Sequence, residues 1–334
     1  MDSLNVLDSV KSFPDQCRQV IWDIANQVLP SECFLAQNIV LSGMGGSALG
    51  GRVLTYLERQ ALKIPIVVST EYHLPNFVNK KSLVIISSYS GNTEETISSL
   101  REAIARGAQI YILTGGGMLA DIAKKDNLPH YIFDPVHNPS AQPRMGLGYS
   151  IMAVIMLLVR CQLIHPQDNL SGLPDYLKNK QQDFKDYENL GRALQGKIAV
   201  LVASEHLKGA IHCFKNQLNE TAKNMSVLFD LPELNHHLME GLAFPHSNTS
   251  TLHFILFKSE HYHPEVKKRY PVTAEVLTRQ KIGLTEINIT GPSRLFEAME
   301  LIQMGGFVSF YLSQINGVDP GPIPWVDYFK DQLK

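Results

Sequence analysis

Glycine is the most frequent residue in the segment Leu41-Ser42-Gly43-Met44-Gly45-Gly46-Ser47-Ala48-Leu49-Gly50-Gly51. The segment joins a short hydrophobic strand, which ends near Val40, to a helix whose first turns begin near Arg52. Glycines in such a turn let the backbone approach a ligand closely, and exposed N–H groups at a helix start favour an anion. The spacing differs from the GxGxxG of dinucleotide-binding folds, and no Gly-Lys-Ser/Thr follows as in a P-loop. A plain turn that packs the helix on the strand is the structural alternative.

The composition is that of a globular protein long enough for two domains. The 334 residues are 44% hydrophobic and 19% charged, with a net charge of −2. Because no long run of one charge sign occurs, we expect neither nucleic-acid nor membrane-surface binding. The four cysteines are scattered without a CxxC pair, which is typical of reduced cytosolic thiols. With no signal-peptide pattern and no hydrophobic run long enough to span a bilayer, the expected location is cytoplasmic.

Strands and helices alternate along the first half of the chain. Hydrophobic runs predict strands at residues 39–41, 65–69, 82–87, 109–114 and 131–133. Helical periodicity predicts the intervening helices, which include 93–106 and 118–125. This alternation predicts an α/β fold with a doubly wound parallel sheet, whose ligands bind at the carboxyl edge of the strands.

The pattern restarts after the segment 168–174, which is the best candidate for a linker. Strands are predicted at 197–204, 225–229, 252–257 and 285–289, and helices at 174–194, 207–224 and 294–315. We therefore expect two domains of the same α/β architecture, residues 1–168 and residues 169–334. The two halves share this order of elements without recognisable sequence identity.

A second polar turn, Ser87-Ser88-Tyr89-Ser90-Gly91-Asn92-Thr93, follows the third strand and opens a helix. Hydroxyls at a helix N-terminus can donate to phosphate oxygens, and the backbone N–H groups and the helix dipole favour the negative charge. Because no lysine is present, the turn suits a sugar monophosphate better than a nucleotide with magnesium. An ordinary Ser/Thr helix cap is the alternative, but one hydroxyl would be enough for it.

Together, Gly43-Met44-Gly45-Gly46-Ser47 and Ser88-Tyr89-Ser90-Gly91-Asn92-Thr93 resemble the two motifs of the sugar isomerase (SIS) domain family. Two such units in one chain make it similar to the bifunctional phosphoglucose/phosphomannose isomerases of archaea and some bacteria. The similarity runs through four later segments: 142–149, Asn219-Glu220, 233–236, and 317–320 ahead of Lys330. It implies two SIS-type sheets, the first with the phosphate-binding loops and the second with the catalytic base and C-terminal helix.

The resemblance also implies an activity and a phosphate site. The activity is interconversion of glucose 6-phosphate and fructose 6-phosphate through an enediol, with no cofactor and no metal. The phosphate ligands would be Gly46, Ser47, Ser88, Ser90 and Thr93. Relatives that also accept mannose 6-phosphate tend to have a threonine near the position of Ile323, so the resemblance leaves that substrate open.

Glu220 is the candidate for the catalytic base. If residues 207–224 form one helix, His212, Asn216, Glu220 and Asn224 share one face of it. By this pattern alone, a solvated helix carboxylate is the simpler interpretation. The resemblance implies instead that Glu220 shuttles the proton between C1 and C2, a task that suits a carboxylate whose pKa is raised by burial.

His236 corresponds to the histidine that opens the sugar ring in the family, where it reaches the active site from the neighbouring subunit. A homodimer is therefore implied. This chain departs from the family pattern after that histidine, where His237 and then Gly241-Leu242 stand in place of Asn and Gly-Trp. His237 remains an alternative for the same role, and a plain surface histidine is the structural alternative for both.

Arg144 and Lys330 complete the implied set. A guanidinium at Arg144 could stabilise the enediolate oxygens, whereas an interdomain salt bridge is its structural alternative. Lys330 resembles the lysine that reaches the sugar ring in the family, although an exposed lysine near a chain end is usually solvated. The segment His261-Tyr262-His263 has no acidic or cysteine partner at ligand spacing, so it indicates no metal site.

Two other function classes share these motifs. One is another phosphosugar isomerase or lyase of the SIS type. The other is a regulator that binds a sugar phosphate without turnover, which should lack the set of Glu220, His236 and Lys330.

Overall fold

The computed structural model describes residues 1–29, 35–57, 59, 61–164 and 170–333. They form two compact units: Lys11–Asn179, and Met1–Val10 together with Lys180 onward. The division differs from the expected boundary in two places. Helix α1 (Val6–Lys11) packs Val10 against Gly306 of the second unit, and Asp175 forms an ion pair of 3.0 Å with Arg18 of the first unit. Residues 168 and 169 of the expected linker lie outside the described residues.

In its described residues, the first unit is a five-stranded parallel sheet flanked by helices. Its strands are β1 (Asn38–Gly43), β2 (Ile66–Ser69), β3 (Ser82–Ser88), β4 (Gln109–Thr114) and β5 (His130–Ile132), in the order β2-β1-β3-β4-β5. Its helices are α2 (Phe13–Ala25), α3 (Gly46–Leu57), α4 (Glu94–Ala105), α5 (Gly117–Lys125), α6 (Leu147–Arg160) and α7 (Leu173–Lys180). Short 3₁₀ turns lie at Pro143–Met145 and Leu170–Gly172. This doubly wound arrangement confirms the predicted fold class.

The helix after the first strand begins earlier than expected. Helix α3 starts at Gly46, so the prediction of a start near Arg52 is wrong. Glycines disfavour a helix by intrinsic propensity, but packing requires them here. A Cβ atom at Gly50 would lie 2.6 Å from the carbonyl oxygen of Ser150 in α6, and one at Gly51 would lie 2.9 Å from Val68. The glycines therefore let α3 lie close to both α6 and the sheet.

The second unit contains a four-stranded parallel sheet in its described residues. Its strands are β6 (Ile198–Ala203), β7 (Ser226–Asp230), β8 (Leu252–Ser259) and β9 (Gly283–Ile289), in the order β7-β6-β8-β9. Its helices are α8 (Phe184–Leu194), α9 (Lys208–Glu220), α10 (Leu234–His237), α11 (Asn248–Thr251), α12 (Pro264–Lys267), α13 (Arg269–Arg279), α14 (Arg294–Ile315) and α15 (Pro324–Gln332). The long helix α14 has the predicted bounds. It is buried on nearly all sides, which fits its hydrophobic sequence.

Two predicted helices of this half differ from the structure. The segment 174–194 forms two helices, α7 and α8, rather than one. Helix α9 ends at Glu220, so Asn224 does not share its face. The Asn224 side chain instead donates to the carbonyl oxygen of Lys197 at 3.0 Å. Among the described residues no helix is both long and apolar enough to cross a membrane.

Candidate functional site

Two helix N-termini meet at the carboxyl edge of the first sheet. Strands β1 and β3 are neighbours, and their register pairs Gly43 with Ser87. The turn from β1 into α3 therefore leaves the sheet beside the turn from β3 into α4. Each helix start presents backbone N–H groups and the positive end of a helix dipole, so together they favour a doubly charged anion such as phosphate.

Two hydroxyls of the second turn, those of Ser88 and Thr93, are held in place by local hydrogen bonds. Ser88 Oγ and Thr93 Oγ1 share a hydrogen bond of 2.8 Å, and the Gly91 N–H donates to Ser88 Oγ at 3.1 Å. Thr93 is the N-cap residue of α4, yet within the described residues its side chain makes no capping hydrogen bond. An ordinary helix cap therefore does not explain this hydroxyl.

Ser47 and Ser90 both accept hydrogen bonds from the backbone. The Tyr89 N–H donates to Ser47 Oγ at 3.0 Å, and the Asn92 N–H donates to Ser90 Oγ at 3.3 Å. Ser47 is half-buried and Ser90 is exposed. Because a hydroxyl that accepts a bond still has a proton to donate, both can donate to a ligand oxygen.

Gly91 fixes the shape of the second turn. Its φ is +70°, and a Cβ atom there would lie 1.8 Å from the carbonyl oxygen of Gly116. The neighbouring Asn92 side chain accepts a bond of 3.0 Å from the Met118 N–H. The turn is thus braced against the loop that follows β4.

Arg144 lies beside the first turn. A Cβ atom at Gly46 would be 3.6 Å from the Arg144 Cα and 3.7 Å from the Pro143 carbonyl oxygen. The Arg144 side chain is 8% exposed, and its Nη1 donates to Gln142 Oε1 at 2.8 Å. The structure therefore brings together Gly46, Ser47, Ser88, Ser90, Thr93 and Arg144 within the first unit.

Three further polar residues join this group: Tyr89, Asn138 and Gln142. The Asn138 amide donates to Tyr89 Oη at 2.8 Å and to the Gln142 carbonyl oxygen at 2.9 Å. Burial raises the pKa of Tyr89, and the hydrogen bond from Asn138 opposes that rise. Tyr89 and Gln142 lie inside the segments that carry the family resemblance, but sequence reasoning gave them no role. Asn138 has no sequence signal at all.

Glu220 is the last residue of α9 in the second unit, where it is half-buried. Its carbonyl oxygen accepts a bond of 2.5 Å from Lys223 Nζ, which also donates to the Pro320 carbonyl oxygen at 3.3 Å. Lys223 therefore ties the end of α9 to the segment that leads into α15. Lys223 thus anchors the helix end that holds Glu220.

The two adjacent histidines of α10 differ in their contacts. Both are exposed, but the His237 ring packs against Phe229 with the centroids 6.0 Å apart. The His236 imidazole has no hydrogen bond, ion pair or ring contact with any described residue. Of the two, His236 is the one whose side chain remains available to a ligand or to a second chain.

Lys330 lies on α15, a helix with none of its residues buried. Ile323 is the N-cap residue of this helix. The aromatic residues of α15 are largely exposed, with Trp325 82% and Phe329 60% accessible. The Lys330 ammonium makes no ion pair with the described residues, so it too remains available for a ligand.

The carboxyl edge of the second sheet has a closed polar cluster where the first sheet has its hydroxyl turns. His206 follows β6 and Ser259 ends β8, and both contact Glu297 of α14. His206 Nε2 and Ser259 Oγ lie 2.7 and 2.5 Å from Glu297 Oε2. Burial lowers the pKa of His206. An internal carboxylate therefore occupies this edge, which leaves the first sheet as the candidate phosphate site.

No group of three or more His, Cys, Asp or Glu residues in the described ranges is placed to hold a metal ion. The described cysteines, Cys17, Cys161 and Cys213, are buried, and none of the three is in a disulfide. Burial raises the pKa of the Cys17 thiol, so it has little thiolate character.

Comparisons with known proteins show which family the chain resembles along its length. Residues 34–160 match the SIS domain family, and residues 185–333 match the bacterial phospho-glucose isomerase C-terminal SIS domain. The chain is 31% identical to the bifunctional phosphoglucose/phosphomannose isomerase of Caldicellulosiruptor bescii, with 98% of each chain covered. It is 30% identical to the protein of the same name from Aquifex aeolicus, with 95% of each chain covered.

Solved structures share the fold at low sequence identity. The tagatose-6-phosphate ketose/aldose isomerase of Escherichia coli has a TM-score of 0.74 at 18% identity, with 96% of each chain covered. The C-terminal domain of glucosamine-fructose-6-phosphate aminotransferase from Francisella tularensis also has a TM-score of 0.74, at 12% identity. It covers 95% of this chain and 98% of its own.

Proposed function

Because the chain belongs to the bifunctional phosphoglucose/phosphomannose isomerase family, we propose that it interconverts glucose 6-phosphate and fructose 6-phosphate. The observation that carries this proposal is the pair of hydroxyl-bearing helix N-termini beside Arg144 on the first sheet. The relatives' names extend the proposal to mannose 6-phosphate as a second aldose. Ile323 stands near the position where a threonine accompanies that activity, so mannose 6-phosphate needs its own assay.

The phosphate group of the substrate is assigned to the first unit. Donors for its oxygens are the hydroxyls of Ser47, Ser88, Ser90 and Thr93 and the N–H groups that follow Gly46. This set carries no ammonium or guanidinium apart from Arg144, so hydrogen bonds and helix dipoles carry the recognition. Such a site binds a terminal phosphate and leaves the other end of the sugar free to react.

Proton transfer is assigned to Glu220. Its carboxylate takes the proton from C2 of the aldose, or from C1 of the ketose, and returns it to the other carbon through the enediol. The negative charge that develops on the enediolate oxygens needs a cation, and Arg144 is the candidate. His236 and Lys330 would supply and accept the protons of ring opening and closing.

We assign His236 to the active site of a neighbouring subunit. In support, its exposed imidazole makes no hydrogen bond, ion pair or ring contact with the described residues of its own chain, while His237 packs on Phe229. A homodimer would then be the active species, since a monomer would lack the ring-opening histidine. The described cysteines are in no disulfide, which supports a cytoplasmic location.

A coupled assay tests the proposed function. In one assay fructose 6-phosphate is supplied and the formation of glucose 6-phosphate is followed. In a second assay mannose 6-phosphate is supplied and the formation of fructose 6-phosphate is followed. Both assays contain EDTA. Turnover of fructose 6-phosphate supports the isomerase. Tight binding without turnover would favour a sugar-phosphate sensor. Conversion of an amino sugar alone would favour another phosphosugar activity, since a D-glucosamine-6-phosphate 4-epimerase from Sulfolobus acidocaldarius is 29% identical over 61% of this chain.

A further inference from the structure

A chain of hydrogen bonds connects the phosphate turns to Arg144. It starts at Ser47, whose Oγ accepts from the backbone N–H of Tyr89 at 3.0 Å. The Tyr89 hydroxyl accepts from the Asn138 amide at 2.8 Å, and the same amide donates to the Gln142 carbonyl oxygen at 2.9 Å. The Gln142 side chain then accepts from Arg144 Nη1 at 2.8 Å. All of these residues lie in the first unit.

The middle of this chain of hydrogen bonds is buried. Asn138 and Ser140 are each 4% exposed, and Ser140 Oγ donates to Asn138 Oδ1 at 2.7 Å. The Gln142 N–H also donates to Ser140 Oγ at 3.3 Å. Buried polar groups that satisfy one another hold a single arrangement, because breaking any one of them leaves a donor or acceptor without a partner.

The ring of Tyr89 presses on the turn that holds Arg144. A Cβ atom at Gly146 would lie 2.4 Å from Tyr89 Cε2, so only glycine allows this approach. The other side of the ring meets Phe133 edge to face, with the centroids 5.4 Å apart. Tyr89 therefore contacts the phosphate site through its backbone and the Arg144 turn through its side chain.

We infer that Gln142 and the Tyr89 hydroxyl are positioning residues that hold the Arg144 guanidinium for the enediolate, an inference that rests on the proposed isomerase function. Gln142 fixes one nitrogen of the guanidinium, and Tyr89, through Asn138, fixes Gln142 relative to the phosphate turns. The distance between the bound phosphate and the cation is thereby set before substrate arrives. Neither residue needs to touch the sugar for this role.

The test measures kcat and KM separately for the conversion of fructose 6-phosphate to glucose 6-phosphate. Gln142→Met removes one acceptor of Arg144 at similar volume, and Tyr89→Phe removes only the hydroxyl. Because the Tyr89 N–H still holds Ser47, phosphate binding should persist and KM should change less than about threefold. Because misplacing a catalytic group by about 1 Å can lower the rate about a hundredfold, we expect Gln142→Met to lower kcat by about ten- to a hundredfold.

Gln109→Met is the matched control. Gln109 is the first residue of β4, so it lies at the amino end of the strands, whereas the site lies at their carboxyl end. This variant should therefore keep the wild-type kcat. A double-mutant cycle with Arg144→Ala distinguishes positioning of Arg144 from a general structural role of Gln142. It compares the effect of Gln142→Met on kcat in the presence and absence of the Arg144 side chain. If Gln142 acts only through Arg144, the Gln142→Met change should cause no further loss of kcat in the Arg144→Ala background.

The outcomes separate the two proposals. Wild-type protein without isomerase activity would overturn the proposed function and this inference with it. An active wild type in which both Gln142→Met and Tyr89→Phe retain kcat would overturn the inference alone. Fully additive effects of Gln142→Met and Arg144→Ala on kcat would also overturn the inference. The same holds if Gln142→Met changes KM and the thermal unfolding temperature but leaves kcat unchanged.

Discussion

The hydroxyls of Ser88 and Thr93 lie 2.8 Å apart, across the turn that leads from β3 into α4. Thr93 occupies the N-cap position of α4 but turns its side chain toward Ser88 instead of capping the helix. The first N–H groups of α4 are consequently not screened by the Thr93 hydroxyl. An anion placed here would meet two hydroxyls and a helix N-terminus at once, which is the physical basis of the proposed phosphate site.

Removal of the Thr93 hydroxyl should weaken substrate binding. Thr93→Val keeps the shape of the side chain but removes one hydrogen bond to a charged phosphate, which contributes about 1.5–3 kcal/mol. We expect KM for fructose 6-phosphate to rise about tenfold or more, with a smaller change in kcat. Steady-state kinetics measure both values. Thr55→Val in α3 is the control, since the Thr55 hydroxyl donates to the carbonyl oxygen of Gly51 in its own helix at 2.8 Å. An unchanged KM in Thr93→Val would remove Thr93 from the phosphate site.

Replacement of the proposed base should stop turnover while leaving binding intact. Glu220→Gln keeps the size of the side chain and removes the group that accepts the proton. General-base catalysis contributes about 10²–10⁴-fold, so kcat should fall by that factor. Binding of fructose 6-phosphate, measured by calorimetry, should stay close to the wild-type affinity. Glu188→Gln, at an exposed ion pair with Arg192, serves as the control. Wild-type kcat in Glu220→Gln would show that another group is the base.

Mixing two inactive variants should restore activity if His236 acts in a neighbouring subunit. Glu220→Gln and His236→Ala homodimers each lack one group at both sites. In a mixed dimer, one site regains both groups and the other lacks both. After random exchange of subunits, half of the dimers are mixed, so about a quarter of the wild-type activity should return. His237→Ala, mixed in the same way, is the control and should be active before mixing. No recovery by the mixed pair would place His236 in the active site of its own chain.

The stability of the second unit should depend on pH through His206. Burial lowers the pKa of this imidazole below its ordinary value of 6.5, while Glu297 and Glu205 oppose the shift and Arg294 adds to it. The unfolded chain therefore binds the proton at a higher pH than the folded chain does. The contribution of His206 is fully present above about pH 6.5 and is lost as the pH falls toward its folded pKa.

His206→Gln tests this dependence, because the amide can still donate to Glu297 but does not titrate. We expect the variant to be less stable than the wild type by about 1–3 kcal/mol at pH 7. We also expect it to lose less stability than the wild type between pH 7 and pH 5. Urea unfolding at several pH values measures both differences. His253, whose pKa is also lowered by burial, contributes equally to the two proteins. Identical pH slopes would exclude His206 as the titrating group.

Local patterns in the sequence were enough to predict most of the fold. Strand β3 is buried at every residue, and the hydrophobic run at residues 83–86 in its middle is the pattern that predicts such a strand. The bounds of α14 follow from Ser293, which caps the helix by accepting from the Phe296 N–H, and from a long hydrophobic segment. The same patterns failed for α3, because helix propensity disfavours its glycines and only contact with α6 and the sheet explains why they are there.

By itself, the sequence determined which residues form the two turns that we propose to bind phosphate, since hydroxyls and glycines after a hydrophobic strand are a local signal. Only the tertiary structure decided that the two turns lie side by side, because the register of β1 and β3 sets Gly43 opposite Ser87. It also decided that Arg144 adjoins Gly46 and that Tyr89 reaches Asn138. These contacts join residues far apart in the chain, and sequence periodicity reports only which side of an element is buried, not which partner covers it.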